Sequence, residues 1–577
     1  MNAERLLVHY EQIADAPDAI ARLRRFILDL AVRGKVVPQD ASDEPASELL
    51  KRIAKEKARL VKAGEIRKPK TLPVVDEPPF DLPQNWRWTR IREIASDRGQ
   101  EIPKGTFTYS DVTAIDKEAG VVADPKVLAA SEAPSRARKV TRKGDVIYSC
   151  VRPYLLNVAV IEAEFSPEPI ASTAFAVLNG HGFVLPRYLW IVLRSPFMVE
   201  CVEEKQRGQA YPAINDADFA ILPFPLPPFA EQHRIVAKVD ELMTLCDRLE
   251  AARAGREQVR DRLAAASLAR LNAPDAETYQ DDARFALDAL PALTTRPDQI
   301  KALRQTILNL AVRGKLVPQD ATDEPASELL KRIAKERAGL LKAGYPNPDE
   351  ARTQIKKLAE QSVPDGLETL PNGWAWATLL QFSGLVIDCK NKTAPYASSG
   401  IRLIRTTNVR DGRMNLNDQK YVDQRTYEIW SARCTPEPGD ILITREAPMG
   451  EVCLIPSGEQ ICLGQRMMLA RLVPDTIDRN FMIYSLRDPK LMDRVQDKPI
   501  GATVQHLRVG GVETLLVPLP PLAEQHRIVA KVDSLMALCE QLEASLTAAE
   551  TTSRRLLDAL LTEALAPVDA RELEAAE

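Results

Sequence analysis

The sequence has little on which catalysis could be built. Its five histidines are scattered and do not cluster with its eight cysteines. Those cysteines (Cys150, Cys201, Cys246, Cys389, Cys434, Cys453, Cys462 and Cys539) contain no Cys-x-x-Cys pair. A zinc site or disulfide framework is therefore not expected; buried, reduced thiols are. No GxxxxGK[ST] phosphate loop occurs, so ATP binding is not expected. No spacing suggests a Ser/His/Asp or Cys/His arrangement, and His233 and His526, in identical EQHRIV contexts, read as structural. Glu77-Pro78-Pro79-Phe80 only superficially resembles an amino-methyltransferase loop, and no Gly-rich turn accompanies it; it reads as a Pro-rich linker. Asp349-Glu350 with Lys356-Lys357 reads as solvated helix surface rather than a nuclease pattern. No run of about 18 apolar residues exists, so no membrane span is expected. The first twenty residues mix both charge signs without an apolar core, which argues against a signal peptide and for a cytoplasmic protein. The net charge of −4 gives no support to a nucleic-acid partner, so any such reading must rest on local clusters.

What the sequence does have is a repeat. Residues 31–60 and 311–340 match at 26 of 30 positions, differing only at 36, 42, 57 and 59 of the first copy. A second pair follows in the same order: PLPPFAEQHRIVAKVDELMTLCDRLEA (225–251) and PLPPLAEQHRIVAKVDSLMALCEQLEA (518–544). Between these blocks the copies diverge. Echoes remain at Leu82-Pro83 with Trp86 and Trp88 against Leu370-Pro371 with Trp374 and Trp376, and at GDVIYSCVRPYLLN (144–157) against GDILITREAPMGEV (439–452). A whole unit was duplicated, and its frame stayed nearly identical while its inserts became different.

The expected fold class is α+β. Two globular α/β domains are separated by long, coiled-coil-like helices, antiparallel in the simplest arrangement, with pseudo-twofold internal symmetry. The expected divisions are an N-terminal helical region (1–75), a first domain (82–228), a long helix (229–271), a connector (272–297), a central helical region repeating the first (298–366), a second domain (370–521), a second long helix (522–565) and a tail (566–577). Residues 19–33 and 43–63 read as helices, the latter capped by Ser42 or Asp43 with Pro45 in its first turn. Both long helices follow a double proline. The second carries an apolar seam at Ile528, Val532, Leu535, Cys539, Leu542, Leu546, Ala549, Ser553, Leu556 and Leu560. The first carries Ile235, Val239, Leu242, Cys246 and Leu249, then Val259, Leu263 and Ala266. About 40 residues at ~1.5 Å each makes each helix ~60 Å long.

Basic and amide-bearing clusters are the positive functional signal. In the first insert they comprise Arg136, Arg138, Lys139, Arg142 and Lys143; then Tyr148, Arg152, Tyr154 and Asn157; then Arg207, Gln209, Tyr211 and Asn215. In the second they comprise Arg402, Arg405, Thr406, Thr407, Asn408, Arg410 and Arg413; Arg445, Gln465 and Arg466; and Thr503, Gln505, His506 and Arg508. Lys and Arg neutralise phosphates, while Arg, Asn and Gln form bidentate bonds to base edges. Lys139 and Arg142 are expected to contact phosphates, Arg152 and Arg405 to read bases.

LRQTILNLAVRGKLVPQDATDEPASELLKRI, the LP-x-x-W-x-W start of each insert and PLPPLAEQHRIVAKVD resemble the specificity subunit of type I restriction-modification systems over nearly the whole chain. The resemblance implies two target-recognition domains, each reading one half of a bipartite double-stranded DNA site. It implies helices that act as spacer and dock two modification subunits, with two restriction subunits joining the full complex. This chain would be non-catalytic and hold no cofactor or metal. S-adenosylmethionine would belong to the methyltransferase partner, which modifies adenine, and ATP and Mg to the restriction partner. The alternative is a coiled-coil scaffold with two protein-binding domains; a fused modification enzyme is disfavoured by the missing cofactor loop.

Overall fold

A computed structural model describes residues 16, 18–66, 72, 75, 77–208, 211–272, 284–286, 289, 294–488, 490–495 and 506–565. The architecture mixes helices and short strands. The chain divides into two compact units, one comprising residues up to 257 together with those from 549 onward, the other residues 258–548.

The first unit opens with helices Ala19–Val32 and Ala46–Lys62. The second starts one turn later than expected, with Pro45 as its extended N-cap residue. Ser42 and Asp43 are engaged elsewhere: Ser42 donates to Asp40, and Asp43 accepts from Arg234 at 2.6 Å. Between the helices Gly34 adopts φ +67°, and a Cβ there would lie 2.5 Å from Pro83 Cγ, so the turn demands glycine. Lys57, on the second helix, is buried and donates to the backbone carbonyls of Arg92, Glu93 and Ala95.

The inserted domain of this unit is closed by a pair of strands, Arg87–Arg90 antiparallel to Pro223–Leu226. Within it lie two sheets. One has the order Phe175–Leu178, Val146–Ser149, Val158–Val160, Val121–Val122, Ile115–Asp116; the other Lys126–Leu128, Phe107–Ser110, Pro169–Ser172, Ala137–Val140. Helix Pro186–Arg194 carries Tyr188 to Leu193 into the core with Trp86, Phe219 and Phe224. In the Pro-rich segment 77–80, Glu77, Pro78 and Pro79 are exposed as expected of a linker, but Phe80 is packed. Phe80 meets Trp88 and Phe197 edge-on at 4.9 and 5.1 Å, with the Arg33 guanidinium 4.3 Å over its ring.

Helix Phe229–Asn272 starts directly after Pro227-Pro228 and runs 44 residues, of which those up to 257 belong to this unit. Its first turn fastens it to the domain. Glu231 accepts from Trp86 Nε1 at 2.9 Å and from Gln39 at 2.6 Å. Gln232 accepts from the Leu185 amide and donates to Phe183 O. Ile235, Val239 and Cys246 of the seam are buried. The same unit includes residues 549–565, where Leu557 and Leu561 bury against Ala16, Ala19, Phe26 and Leu30.

The second unit repeats this plan: helices Pro297–Val312 and Ala326–Lys342, a closing pair Ala375–Thr378 with Leu516–Leu519, and helix Leu522–Leu565, again 44 residues, of which those up to 548 belong to this unit. Glu524 accepts from Trp374 Nε1 at 3.0 Å and from Gln319 at 3.2 Å; Gln525 accepts from the Asp478 amide. Arg337 replaces Lys57 and donates to the carbonyls of Leu380, Gln381 and Ser383. Helix Pro348–Ala359 follows, and here the expectation of a purely solvated surface fails. Glu350 is buried and bonded to Gln354, while Lys357 pairs with Glu513.

The sheets of the second domain are Ser383–Asp388, Met467–Leu472, Ile441–Thr444, Val452–Leu454 and Lys420–Val422, Ile401–Ile404, Ile461–Leu463, with a small pair Val409–Arg410 and Arg413–Met414. Along the second long helix Ile528, Val532 and Cys539 are buried as the seam requires. The later seam of the first helix does not follow expectation: Val259, Leu263 and Ala266 are exposed. Ser267 and Leu271 are buried instead, with Leu271 packed beside Ala286 and Leu310. The packed face is thus one residue, about 100° of helix, from the expected one.

Candidate nucleic-acid interface

The two inserted domains present loops on one shared backbone scaffold. In the first, the Cys150 amide donates to Ala174 O at 2.8 Å, and Cys150 O accepts from the Ile214 amide at 2.9 Å. In the second, the Arg445 amide donates to Arg466 O at 2.9 Å, and Arg445 O accepts from the Leu507 amide at 2.9 Å. The next residues form isolated bridges, Val151 with Ala213 and Glu446 with His506. The residues after those, Arg152 and Ala447, both take φ +49° and precede Pro153 and Pro448. Position by position, Cys150 corresponds to Arg445, Val151 to Glu446, Arg152 to Ala447 and Ala174 to Arg466.

In the first domain this loop gathers an exposed cation–aromatic group. Arg152 lies 4.7 Å from the Tyr211 ring centroid. Tyr211, Tyr154, Leu155 and Val151 are exposed, unusual for side chains of their size. Arg207 is 80% exposed and reaches Asp218 at 3.3 Å. It joins the group through its bridge to Ala213. A half-buried arginine held against an exposed tyrosine face suits phosphate contact and base stacking.

Other nominated residues of this domain take different places. Lys139 is buried between Asp97 (2.6 Å) and Asp216 (3.0 Å) and is an internal ion pair, not a free phosphate contact. Burial opposes its charge, but the two carboxylates outweigh that and raise its pKa. Tyr148 is buried, stacked on Phe219 at 4.7 Å, so it cannot reach DNA. Asn215 is spent as a helix cap, its Oδ1 accepting from the Ala217 and Asp218 amides. Asn157 is half-buried, and its carbonyl accepts from the Ser149 amide. Arg136, just before strand Ala137–Val140, and Arg142 and Lys143, after it, are exposed, and Arg138 on the strand is half-buried. Gln209 lies outside the described residues.

In the second domain a cavity of about 170 Å³ collects Arg405, Thr406, Thr407, Gln465 and Arg466 of the nominated set, together with Thr393, Tyr396 and Glu446. Arg405 pairs with Asp418. Thr393 donates to Gln465 at 3.2 Å, and Arg466 Nε lies 3.3 Å from Glu446 Oε1. Three nominated residues are structural here. Asn408 is buried, accepting from the Arg405 amide and donating to the Asn415 and Asp418 carbonyls. Arg445 is buried with Nε on Leu507 O, and Arg402 pairs with Glu459 at 2.6 Å. Arg410 donates to the Thr406 and Val409 carbonyls. Arg410 and Arg413 line a different and larger cleft of about 1200 Å³, shared with residues 533–543 of the long helix; Arg413 lies 3.5 Å from Glu540 there. His506 is half-buried and Arg508 exposed, and Thr503 and Gln505 lie outside the described residues.

Among the described residues no cluster of ligands resembles a metal centre, and the cysteine thiols are single and mostly buried, with burial pushing Cys150, Cys453 and Cys462 up to about 12. Among the described residues no helix is long and apolar enough to cross a membrane.

The model for the type I restriction modification DNA specificity domain matches residues 395–549. The specificity subunit of the type I restriction enzyme EcoAI from Escherichia coli is 32% identical over 569 residues, covering 95% of this chain and 94% of that protein. The chain belongs to the type I restriction-modification specificity subunits. The EcoEI specificity subunit of Escherichia coli is 30% identical over 95% of this chain and 94% of its own length. A crystal structure of the HsdS subunit from Thermoanaerobacter tengcongensis aligns with 85% of this chain and 98% of its own, at 25% identity and TM-score 0.45.

Sequence reasoning missed Glu446 in this specificity subunit because it searched for basic and amide groups. The signal lay in the aligned GDVIYSCVRP and GDILITREAP: fixing Pro153 on Pro448 places Glu446, not Arg445, opposite the exposed Val151.

Proposed function

We propose that this specificity subunit is non-catalytic and binds an asymmetric, bipartite double-stranded DNA site, one half per recognition domain. Two methyltransferase subunits dock on its repeated helical frame, and restriction subunits join through them in the cytoplasm. S-adenosylmethionine sits in the methyltransferase subunits, ATP and Mg in the restriction subunits. One observation carries the reading: an identical frame holds unlike loops. The Trp86–Glu231 and Trp374–Glu524 bonds, 2.9 and 3.0 Å, fix both domains to their helices in the same way. On that frame Val151 and Arg152 stand where the second domain has Glu446 and Ala447. Identical frames suit identical partners related by a pseudo-twofold axis. Unlike loops suit unlike half-sites.

In this reading the long helices pair antiparallel and set the distance between half-sites. Their centres fall about one DNA turn apart, roughly ten base pairs, on one face of the duplex. Methylation-sensitive sequencing of the host genome tests this. The expected result is one asymmetric, gapped, adenine-methylated motif that disappears when this chain is deleted. A palindromic motif, or one that survives the deletion, would refute it.

A further inference from the structure

We propose that the second recognition domain reads one G·C base pair through Arg466 and Glu446 acting side by side. The assignment rests on the DNA-reading function above and carries it to particular residues and a particular base pair.

The two side chains come from separate segments and meet at the cavity: Arg466 on the turn between strands Ile461–Leu463 and Met467–Leu472, Glu446 on the loop after Ile441–Thr444. Both are held in place. The Arg466 carbonyl accepts from the Arg445 amide, and Glu446 bridges to His506. Gly464, just before the turn, sits so close to its neighbour that a Cβ would lie 2.8 Å from Ile404 O. Arg466 itself adopts φ +65°, a conformation disfavoured for a long side chain. A strained arginine beside a cavity marks a position held for what its side chain does.

The chemistry of the pair selects the ligand. With Nε turned to Glu446 Oε1 at 3.3 Å, Arg466 offers the fork of its two terminal nitrogens, and Glu446 offers its second oxygen alongside. A fork of donors next to an acceptor is the complement of a G·C major-groove edge. Guanine presents N7 and O6 as acceptors, and the cytosine N4 amine lies next to O6. An A·T pair would set the adenine amine against the guanidinium and thymine O4 against the carboxylate. Thr393, Gln465 and Tyr396 line the same cavity and complete a polar rim with one aromatic face.

The first domain serves as an internal control. Its scaffold repeats the two backbone bonds and the isolated bridge described above, yet Val151 and Ala174 occupy the positions of Glu446 and Arg466. The pair is therefore no requirement of the fold. It is a feature of the second domain alone and must act on the second half-site alone.

The test uses the full chain assembled with the methyltransferase subunits of its system and duplex DNA randomised one base pair at a time. The wild-type complex is expected to require G·C at one position of the second half-site. Glu446→Ala and Arg466→Lys should each lower discrimination against A·T there by about 5- to 150-fold, leaving the first half-site as it was. Unchanged first half-site selection shows that the variants fold and assemble. Glu446→Gln, which keeps an acceptor oxygen, should restore part of the discrimination. A second half-site without a required G·C pair, or equal weakening on every sequence, would overturn the assignment while leaving DNA reading intact. A wild-type complex that enriches no sequence would instead refute the functional reading itself.

Discussion

Lys139 offers the sharpest contrast between a charge on the page and a charge in the fold. It stands in a basic run, Arg136 to Lys143, that reads as a phosphate-binding patch. In the structure its side chain is 3% exposed and lies between Asp97 and Asp216, which are 39% and 57% exposed. Replacing it with Met keeps the aliphatic stem and removes the ammonium. Breaking a fully buried pair costs about 3–5 kcal/mol, and breaking an exposed one about 0–1. The two carboxylates here remain in contact with water once freed, so a loss of about 1–3 kcal/mol is expected. The folded pKa is raised, so this stabilisation is complete below the unfolded value of 10.5 and fades only as pH rises through the folded value. At neutral pH the whole effect is present. Hydrogen exchange on the full chain reads it: amides of strands Ala137–Val140 and Pro169–Ser172, which pair through Lys139 and Ala171, should lose about 5- to 150-fold protection. The salt dependence of DNA binding should stay as in the wild type. Arg142→Ala, at an exposed neighbour, should do the reverse, lowering the salt slope by about 0.9 with exchange unchanged. If Lys139→Met lowered the salt slope and left exchange alone, the internal ion pair would be the wrong account.

Glu231→Ala leaves Trp86 Nε1–H and Gln39 without their acceptor and should cost the first unit about 2–3 kcal/mol, measured by denaturation; Glu524→Ala should cost the second unit the same. Burial raises the Glu231 pKa, so its stability contribution worsens as pH rises through the raised value. Glu231→Gln keeps an acceptor for only one of the two donors and should fall between Glu231→Ala and the wild type at pH 7. Lys57 is held down to about 8 by burial against an ordinary 10.5, so the unfolded chain binds more protons between those values and stability should rise with pH there, by about 3 kcal/mol in all. Lys57→Arg should remove that rise and remain folded, because Arg337 already holds the matching carbonyls in the second copy; pH-dependent melts of the two proteins compare directly. Arg445→Ala should destabilise the second domain, seen as lost exchange protection, rather than relax base choice, because its Nε is committed to Leu507 O.

The frame was legible in the sequence because its signals are local or repeated. Helical periodicity located Ala19–Val32, Ala46–Lys62 and both long helices to within a few residues. The duplication pointed to Trp86 and Trp374, but not to Glu231 and Glu524, which fasten them. What was not legible depends on residues distant in the chain. Lys139 looks like surface until Asp97 and Asp216, 42 and 77 residues away, close around it. Tyr148 looks like a stacking residue until Phe219 covers it. Arg410 and Arg413 look like neighbours of Arg405, yet a turn directs them to a separate cleft. The later seam of the first long helix failed for a related reason. Periodicity says that a stripe exists, but which face is packed is set by the partner, here Ala286 and Leu310.

The duplication also explains why the two halves tolerate such different loops. Both domains close with the same kind of strand pair, Arg87–Arg90 with Pro223–Leu226 and Ala375–Thr378 with Leu516–Leu519. Between those strands the chain leaves and returns to one place, so whatever lies inside is carried as a cassette. The bonds that fasten the cassette come from outside the divergent loops: Trp86, Gln39 and Glu231 in one unit, Trp374, Gln319 and Glu524 in the other. Changing a loop residue such as Val151 or Glu446 therefore touches neither the closing strands nor the helix that they meet. Changing Glu231 or Glu524 disturbs the seat of a whole domain. Substitution is cheap at the loop and costly at the frame, and the two copies have diverged where it is cheap.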